Sequence, residues 1–590
     1  MTLLPPPAVP WQITGNHWLA LPCIHPADAS IHALGMLHRG ARAAIEFAGS
    51  PDFVTGGGAP LLKPAFEANG EPLDLSTTAI AWERALGWIP TFTCTAGDLL
   101  VRGTIFAPYG RDSDVSGAVY ALSIENRGSL DLQVGVTLGG TFGHRQLRVR
   151  TPRPFDDVPR VSIGASGSIL LEGASLPGLA ALALTSDGDA RASVDGPRFE
   201  LRRTIGLGAG ERAQLAFFLA VGPERDGAEA TVAVLRRRGW RELLGATRDA
   251  LQSLEQTTGN ETIDRLINRN LLFAYFYAVG RALDDAQYYL VRTRTPWNGR
   301  GVTVRDWDAL MWTVPAVQLA DPPLARELLL RMCELHGYAP GRGVHYLDGT
   351  LFEPGFSIEG VAAYPIATER YIRDTGDDRV VDEPVLADTL YLAADDLETR
   401  RNERVPLYAT EVSPSGIPVA HPYTLHGNAV VAQALDVLRR TLDEETARGL
   451  EDPDAVRAAL KRHFAGESGR GGYSAGIDLN GGAANTDDPT ASAFWLPLYE
   501  AVSRQDSTYR RTVKAIDAVS GEFAQQCARL IGPESSAVLQ WLRRAPLDGG
   551  TAAELVDAEG KAVANGGDAS LSGLLAWTVW YTVNALGERP

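Results

Sequence analysis

The chain has 590 residues, more than one ordinary core supports, so two or more domains are expected. Apolar residues make up 45% and charged residues 22%, the balance of a globular protein rather than a disordered one. The 72 acidic and 55 basic residues give a net charge of −17 with no long Lys/Arg run, which argues against a nucleic-acid partner and suits a neutral ligand.

The opening stretch, "MTLLPPPAVPWQITGNHW", lacks the basic region and apolar run of a secretory signal. No uncharged apolar stretch approaches the ~18 residues of a membrane span, so the sequence predicts no membrane partner and a cytoplasmic location. The four cysteines are scattered without a CxxC pair, which speaks against a disulfide framework or a zinc knuckle.

Up to about residue 245 the sequence reads as β-structure. "GWIPTFTCTAGDLLVRGTIFAPYG" and "RFELRRTIGLGAGERAQLAFFLAV" alternate apolar and polar positions between Gly, Asp and Asn turns. Short strands in this number suggest a large antiparallel sandwich. The periodicity changes near residue 232, where "TVAVLRRRGWRELLGATRDALQSLEQ" becomes helical. This divides the chain into a β-sandwich (1–231), a helical linker (232–260) and a helical domain (261–590). Helices are predicted near 306–320, 323–337, 357–375, 382–400, 424–442, 453–465, 488–504, 507–530 and 568–587. Long irregular loops separate alternate pairs, which points to a built site at one end. The pattern predicts a closed double ring of helices, an (α/α)6 toroid, behind the sandwich.

Nucleotide- and metal-binding signatures (GxxxxGK[ST], HExxH) and the GxSxG nucleophile motif are missing, so no cofactor and no metal are expected. The loop "TRTPWNGRGVTVRDWDALMW" gathers Trp297, Asp306, Trp307 and Asp308. Flat aromatic faces and paired carboxylates suit a pyranose ring, although Asp306 and Asp308 would serve equally as helix caps. "LYATEVSPSGIPVAHPYTLHGNAVV" offers Glu411 and His426, and the following loop carries Asp478, Asp487 and Asp488. Glu359 stands just inside the helix that Ser357 caps, where the dipole favours an acid; it is also placed to be a proton donor. Glycosidic cleavage needs one protonated carboxyl for the leaving oxygen and a second carboxylate for water or the sugar, and Glu554, in a distant loop, is the natural partner.

Three segments, in order, carry a resemblance to the inverting (α/α)6 glycoside hydrolases of clan G, especially family 63, and more loosely to the glucosidase part of glycogen debranching enzymes and to glucoamylases. "VRDWDALMWTVPAVQLADPPLARELL" resembles their W-D helix, "SIEGVAAYPIATERYIRDTGD" their general-acid helix, and "ELVDAEGKAVANGGDASLSGLLAWTVW" their general-base segment. The resemblance spans about 300 residues. It implies an exo-acting hydrolase of a small α-glycoside, an α-glucoside first. Glu359 would be the acid and Glu554 the base, with Trp297, Asp306, Trp307, Asp308, Tyr364, Glu411, His426 and Asp488 as sugar ligands. Two alternatives stay open: an inverting phosphorylase, which needs no side-chain base, and a carbohydrate-binding protein without chemistry. The sandwich has three candidate roles: shaping the pocket, mediating a homo-oligomer or bracing the barrel.

Overall fold

Strands occupy the first part of the chain wherever β-branched and aromatic residues run between turn formers. The computed structural model describes residues 3–73, 79–111, 113–176, 178–465, 471–484, 488–516 and 521–588. Between Gln12 and Gly222 these residues build three antiparallel sheets of six, eight and five strands. In the largest sheet, Gly117–Asn126 lies in register between Leu99–Phe106 and Arg212–Gly222. Alternate residues of this strand serve different cores. Ala118, Tyr120 and Leu122 point into the sandwich with Phe217 and Leu219. Val119 and Ala121 join the core that continues through Ala228 and Val232 into the helical half. Burial on both faces explains why the strand reads as apolar rather than alternating. The strand Arg198–Leu207 keeps the alternation because much of one face meets water.

The stretch expected as a helical linker over 232–260 overlaps two helices, α1 (Arg225–Arg238) and α2 (Trp240–Leu254), broken at Gly239, whose φ of 81° no helix accommodates. The ring follows. Its outer helices are α3 (Glu261–Tyr277), α5 (Pro322–Leu335), α7 (Pro384–Arg400), α10 (Pro453–His463), α11 (Ser507–Ala515) and α13 (Ser535–Leu542). The inner set is α4 (Val314–Ala320), α6 (Ile358–Thr375), α8 (Leu425–Thr441), the 3₁₀ turn Ala493–Trp495, α12 (Phe523–Arg529) and α14 (Ala569–Asn584); a short α9 (Glu444–Gly449) precedes α10. Each inner element packs on the next, and α12 packs on α14, which packs back on α4. The ring is therefore closed, and α14, flanked on both sides, is apolar around most of its surface.

Several ring elements differ from expectation; the helix expected over 507–530 is, among the described residues, the two helices α11 and α12. The segment expected as a helix over 488–504 forms only short 3₁₀ turns; Pro497 removes an amide donor from the ladder midway along it. Ahead of α4, Asp308–Thr313 is a turn of π-helix in which the Val314 amide reaches Ala309. Pro315 cannot donate one turn back, which loosens the ladder where the chain enters the loop end.

Candidate active site

The first inner segment is fixed by charge. Arg292 is buried between two carboxylates, with Nη1 2.6 Å from Asp308 Oδ2 and Nη2 2.7 Å from Asp568 Oδ2. Burial opposes its charge, but Asp308 and Asp568 outweigh that and hold its pKa above the ordinary value. Asp568 also caps α14, accepting from the Leu571 amide at 3.0 Å. One arginine thus ties the first inner segment to the last, and Asp308 is engaged in that tie.

A small cleft, partly open to solvent, lies at the loop end. Arg305, Asp306, Trp307, Ser357, Gly360 and Ser413 line it. Asp306 is buried, accepting from the Gly341 amide at 2.7 Å and from the Tyr364 hydroxyl at 2.9 Å. Burial pushes its pKa up to about 7 despite those donors. Tyr364 is fully enclosed behind it. Arg305 has no carboxylate within ion-pair distance among the described residues, and burial together with neighbouring Arg300 pushes its pKa down to about 9.

Glu359 lies one layer behind this wall with no exposed surface. Ser357 Oγ donates to its Oε2 at 3.0 Å, and His426 Nδ1 is 3.4 Å from Oε1. The His426 ring is packed edge-on against Trp307 and Tyr499. Gly427 makes this approach possible, since a Cβ there would stand 2.9 Å from Glu359 Oε1.

Glu554 belongs to a second cluster. Arg300 approaches it with Nε at 3.3 Å and makes a closer Nη2 contact, and Asn565 Nδ2 donates to Oε2 at 2.6 Å. Burial would raise its pKa, but Arg300, Asn565 and Arg292 overcome this and hold it down to about 2. Glu522, before α12, is bridged through its backbone to Leu555. Burial, then the charges of Glu554 and Asp488, push the Glu522 pKa up to about 7 against the pull of Arg300. Asp488 in turn accepts from Ser413 and Ser415 on the cleft loop.

The remaining expected residues scatter. Trp297 is buried against Gly567, away from the residues lining the cleft. Glu411 is exposed and pairs with Arg400 at 2.9 Å, although Val412 and Ser413 beside it line the cleft. Asp487 lies outside the described residues. The fold thus brings Asp306, Trp307, His426 and Glu359 to one side, and Glu554 and Asp488 to another. Sequence reasoning missed Arg300, Glu522 and Asn565. Glu522 falls inside the stretch expected as one helix over 507–530, Asn565 is given no role in its loop, and only their distant partners mark them out.

Among the described residues no helix is long and apolar enough to cross a membrane. No family model and no curated relative matches the chain. Solved structures do. A bacterial glucoamylase complexed with acarbose aligns over 99% of this chain and 95% of its own, with a TM-score of 0.65 at 11% identity. A protein from the human microbiome, provisionally described as a kojibiose phosphorylase, aligns over 96% of this chain and 86% of its own, with a TM-score of 0.60 at 11% identity. At such identity the likeness concerns the fold as a whole rather than clan G in particular. This chain therefore has the architecture of those enzymes, an antiparallel β-sandwich joined to an (α/α)6 barrel.

Proposed function

We propose that the protein is an inverting glycosidase of small α-glycosides, an α-glucoside being the first to try. The observation that carries this reading is the carboxyl pair Glu522 and Glu554 at the loop end of the ring, pushed apart to about 7 and about 2. Environments that split two neighbouring carboxyls supply one proton donor and one ionised partner at neutral pH, and the two titrate as a coupled pair. Glu522 gives its proton to the glycosidic oxygen as the bond to the anomeric carbon breaks. Glu554 takes a proton from the water that attacks the opposite face, so an α-linkage releases a β-sugar. The Arg300 contact weakens Glu554 as a base while keeping it ionised throughout the working range. For the acid, burial without any exposed surface disfavours Glu359, and the Arg400 ion pair disfavours Glu411.

A phosphorylase is the second reading, supported by Arg305, which lines the cleft without a carboxylate at ion-pair distance among the described residues and suits a phosphate oxyanion. Both are tested by an anomer-resolved proton NMR time course on α- and β-linked glucosides, with and without phosphate. The wild type would be compared with Glu359→Gln, Glu411→Gln, Glu522→Gln and Glu554→Gln. Fresh β-glucose, lost by ~10³-fold or more in Glu522→Gln and Glu554→Gln and retained in the other two, is expected. Sugar phosphate formation surviving in Glu554→Gln would select the phosphorylase. Loss confined to Glu359→Gln or Glu411→Gln would move the acid to that residue.

A further inference from the structure

The amide of Asn565 is held in one orientation by a barrel loop and by the amino-terminal arm. Its Oδ1 accepts two backbone N–H groups, from Leu4 at 3.1 Å and from Gly299 at 3.2 Å. Neither partner can accept, so the oxygen must face them and the NH₂ must face Glu554, 2.6 Å away. The backbone closes the arrangement. The Asn565 amide donates to the Leu4 carbonyl at 2.8 Å, and the Glu554 amide donates to the Asn565 carbonyl at 3.2 Å. Asn565 is buried and sits at φ 45°, a left-handed conformation that Asn tolerates better than most residues. Leu4 is delivered by Pro5, Pro6 and Pro7, a stiff extended spacer between it and the first strand of the sandwich.

We propose that Asn565 is a positioning residue for the Glu554 carboxylate, and that the amino-terminal arm fixes it through Leu4, so that the sandwich half of the chain sets the geometry of a group in the barrel. The catalytic part of this inference rests on the reading of Glu554 as the base. Both backbone donors stand on the side away from Glu554, and among the described residues the loss of Leu4 leaves Gly299 as the sole donor to the amide oxygen. Misplacing a reacting group by about 1 Å costs on the order of 10²-fold in rate.

The test uses p-nitrophenyl α-D-glucoside and maltose between pH 4 and 8 with five proteins: wild type, Glu554→Gln, Asn565→Gly, Asn565→Asp and a chain lacking residues 1–5. Asn565→Gly keeps the left-handed backbone and deletes only the amide. Expected is a kcat lower by about 10- to 100-fold in Asn565→Gly and in the shortened chain, with KM within about threefold. Asn565→Asp sets a second carboxylate against Glu554 and should lift the acid limb of the pH profile into the measured range. Asn565→Gly with wild-type kcat and pH profile overturns the proposal while leaving the base assignment standing. If Glu554→Gln keeps its activity, or no variant turns over either substrate, the decision passes to a double-mutant cycle of Asn565→Gly and Glu554→Gln in urea unfolding. Coupling of threefold or more in the unfolding constant sustains the Asn565–Glu554 contact, and additivity overturns it.

Discussion

At the scale of single residues, the sequence offers acids and the fold decides which of them are free. Asp306 looks like a sugar ligand in "VRDWDAL", yet one of its oxygens takes the Gly341 amide and the other the Tyr364 hydroxyl. A donor 35 residues away and another 58 away are invisible in the local sequence. The consequence is a pH effect. With its folded pKa raised to about 7, Asp306 keeps a proton that the unfolded chain has already lost. Its contribution to stability is present at low pH and falls away as pH rises through about 7. Glu554 runs the other way: its contribution is present above the ordinary carboxylate range and is lost as pH falls toward about 2. Thermal melts at pH 5 and pH 8 should therefore show a smaller drop for Asp306→Asn than for the wild type. Equal drops in the two proteins would remove Asp306 as a source of the effect.

At the scale of elements, legibility follows whether the signal is local. The α6 helix was readable over 357–375 because Ser357 caps it, with Oγ accepting from the Gly360 amide, and Gly376 at φ 75° stops it. The α7 and α8 helices fall within two residues of expectation without such caps, on the apolar periodicity of their buried faces. The fourth inner element departs from expectation, since apolar spacing suggests a helix where Pro497 interrupts the ladder. The helix α13 was missed, being only Ser535–Leu542 and held by packing on α12 rather than by a capping side chain. What no local pattern reports is how the ring shuts, because Arg292 and Asp568 are 276 residues apart. Removing one member of a buried ion cluster strands the rest, so Asp568→Ala should cost about 3–5 kcal/mol in urea unfolding. The same substitution in an Arg292→Met background should cost markedly less, since the guanidinium that Asp568 pairs with is already gone and Asp308 is left uncompensated with or without Asp568. A loss below about 1 kcal/mol for Asp568→Ala would mean that packing of α14 closes the ring without the ion cluster.

At the scale of the whole molecule, the two halves share a buried polar seam. Arg294, in a stretch that reads as an ordinary loop, donates to the carbonyls of Asn16, His17 and Trp18 in the sandwich and of Phe276 in the barrel. Arg148, fully buried, bonds Glu46 at 2.6 Å and reaches the Arg294 carbonyl at 3.1 Å. The Tyr277 hydroxyl donates to the Thr14 carbonyl at 2.8 Å. Separating the halves would leave these donors and acceptors without partners and expose an apolar core that runs continuously from Trp11 to Val579. Independent domains in one chain usually meet through a smaller, wetter surface and unfold apart. Here the seam predicts a single calorimetric transition for the intact chain, and residues 261–590 expressed alone should bind the dye ANS and lack a cooperative melt. Arg294→Met should lower the temperature of that one transition rather than split it, because it strips donors from carbonyls on both sides at once. Two resolved transitions in the wild type, with a folded barrel fragment, would make the seam a docking contact and would uncouple the amino-terminal arm from the stability of the ring.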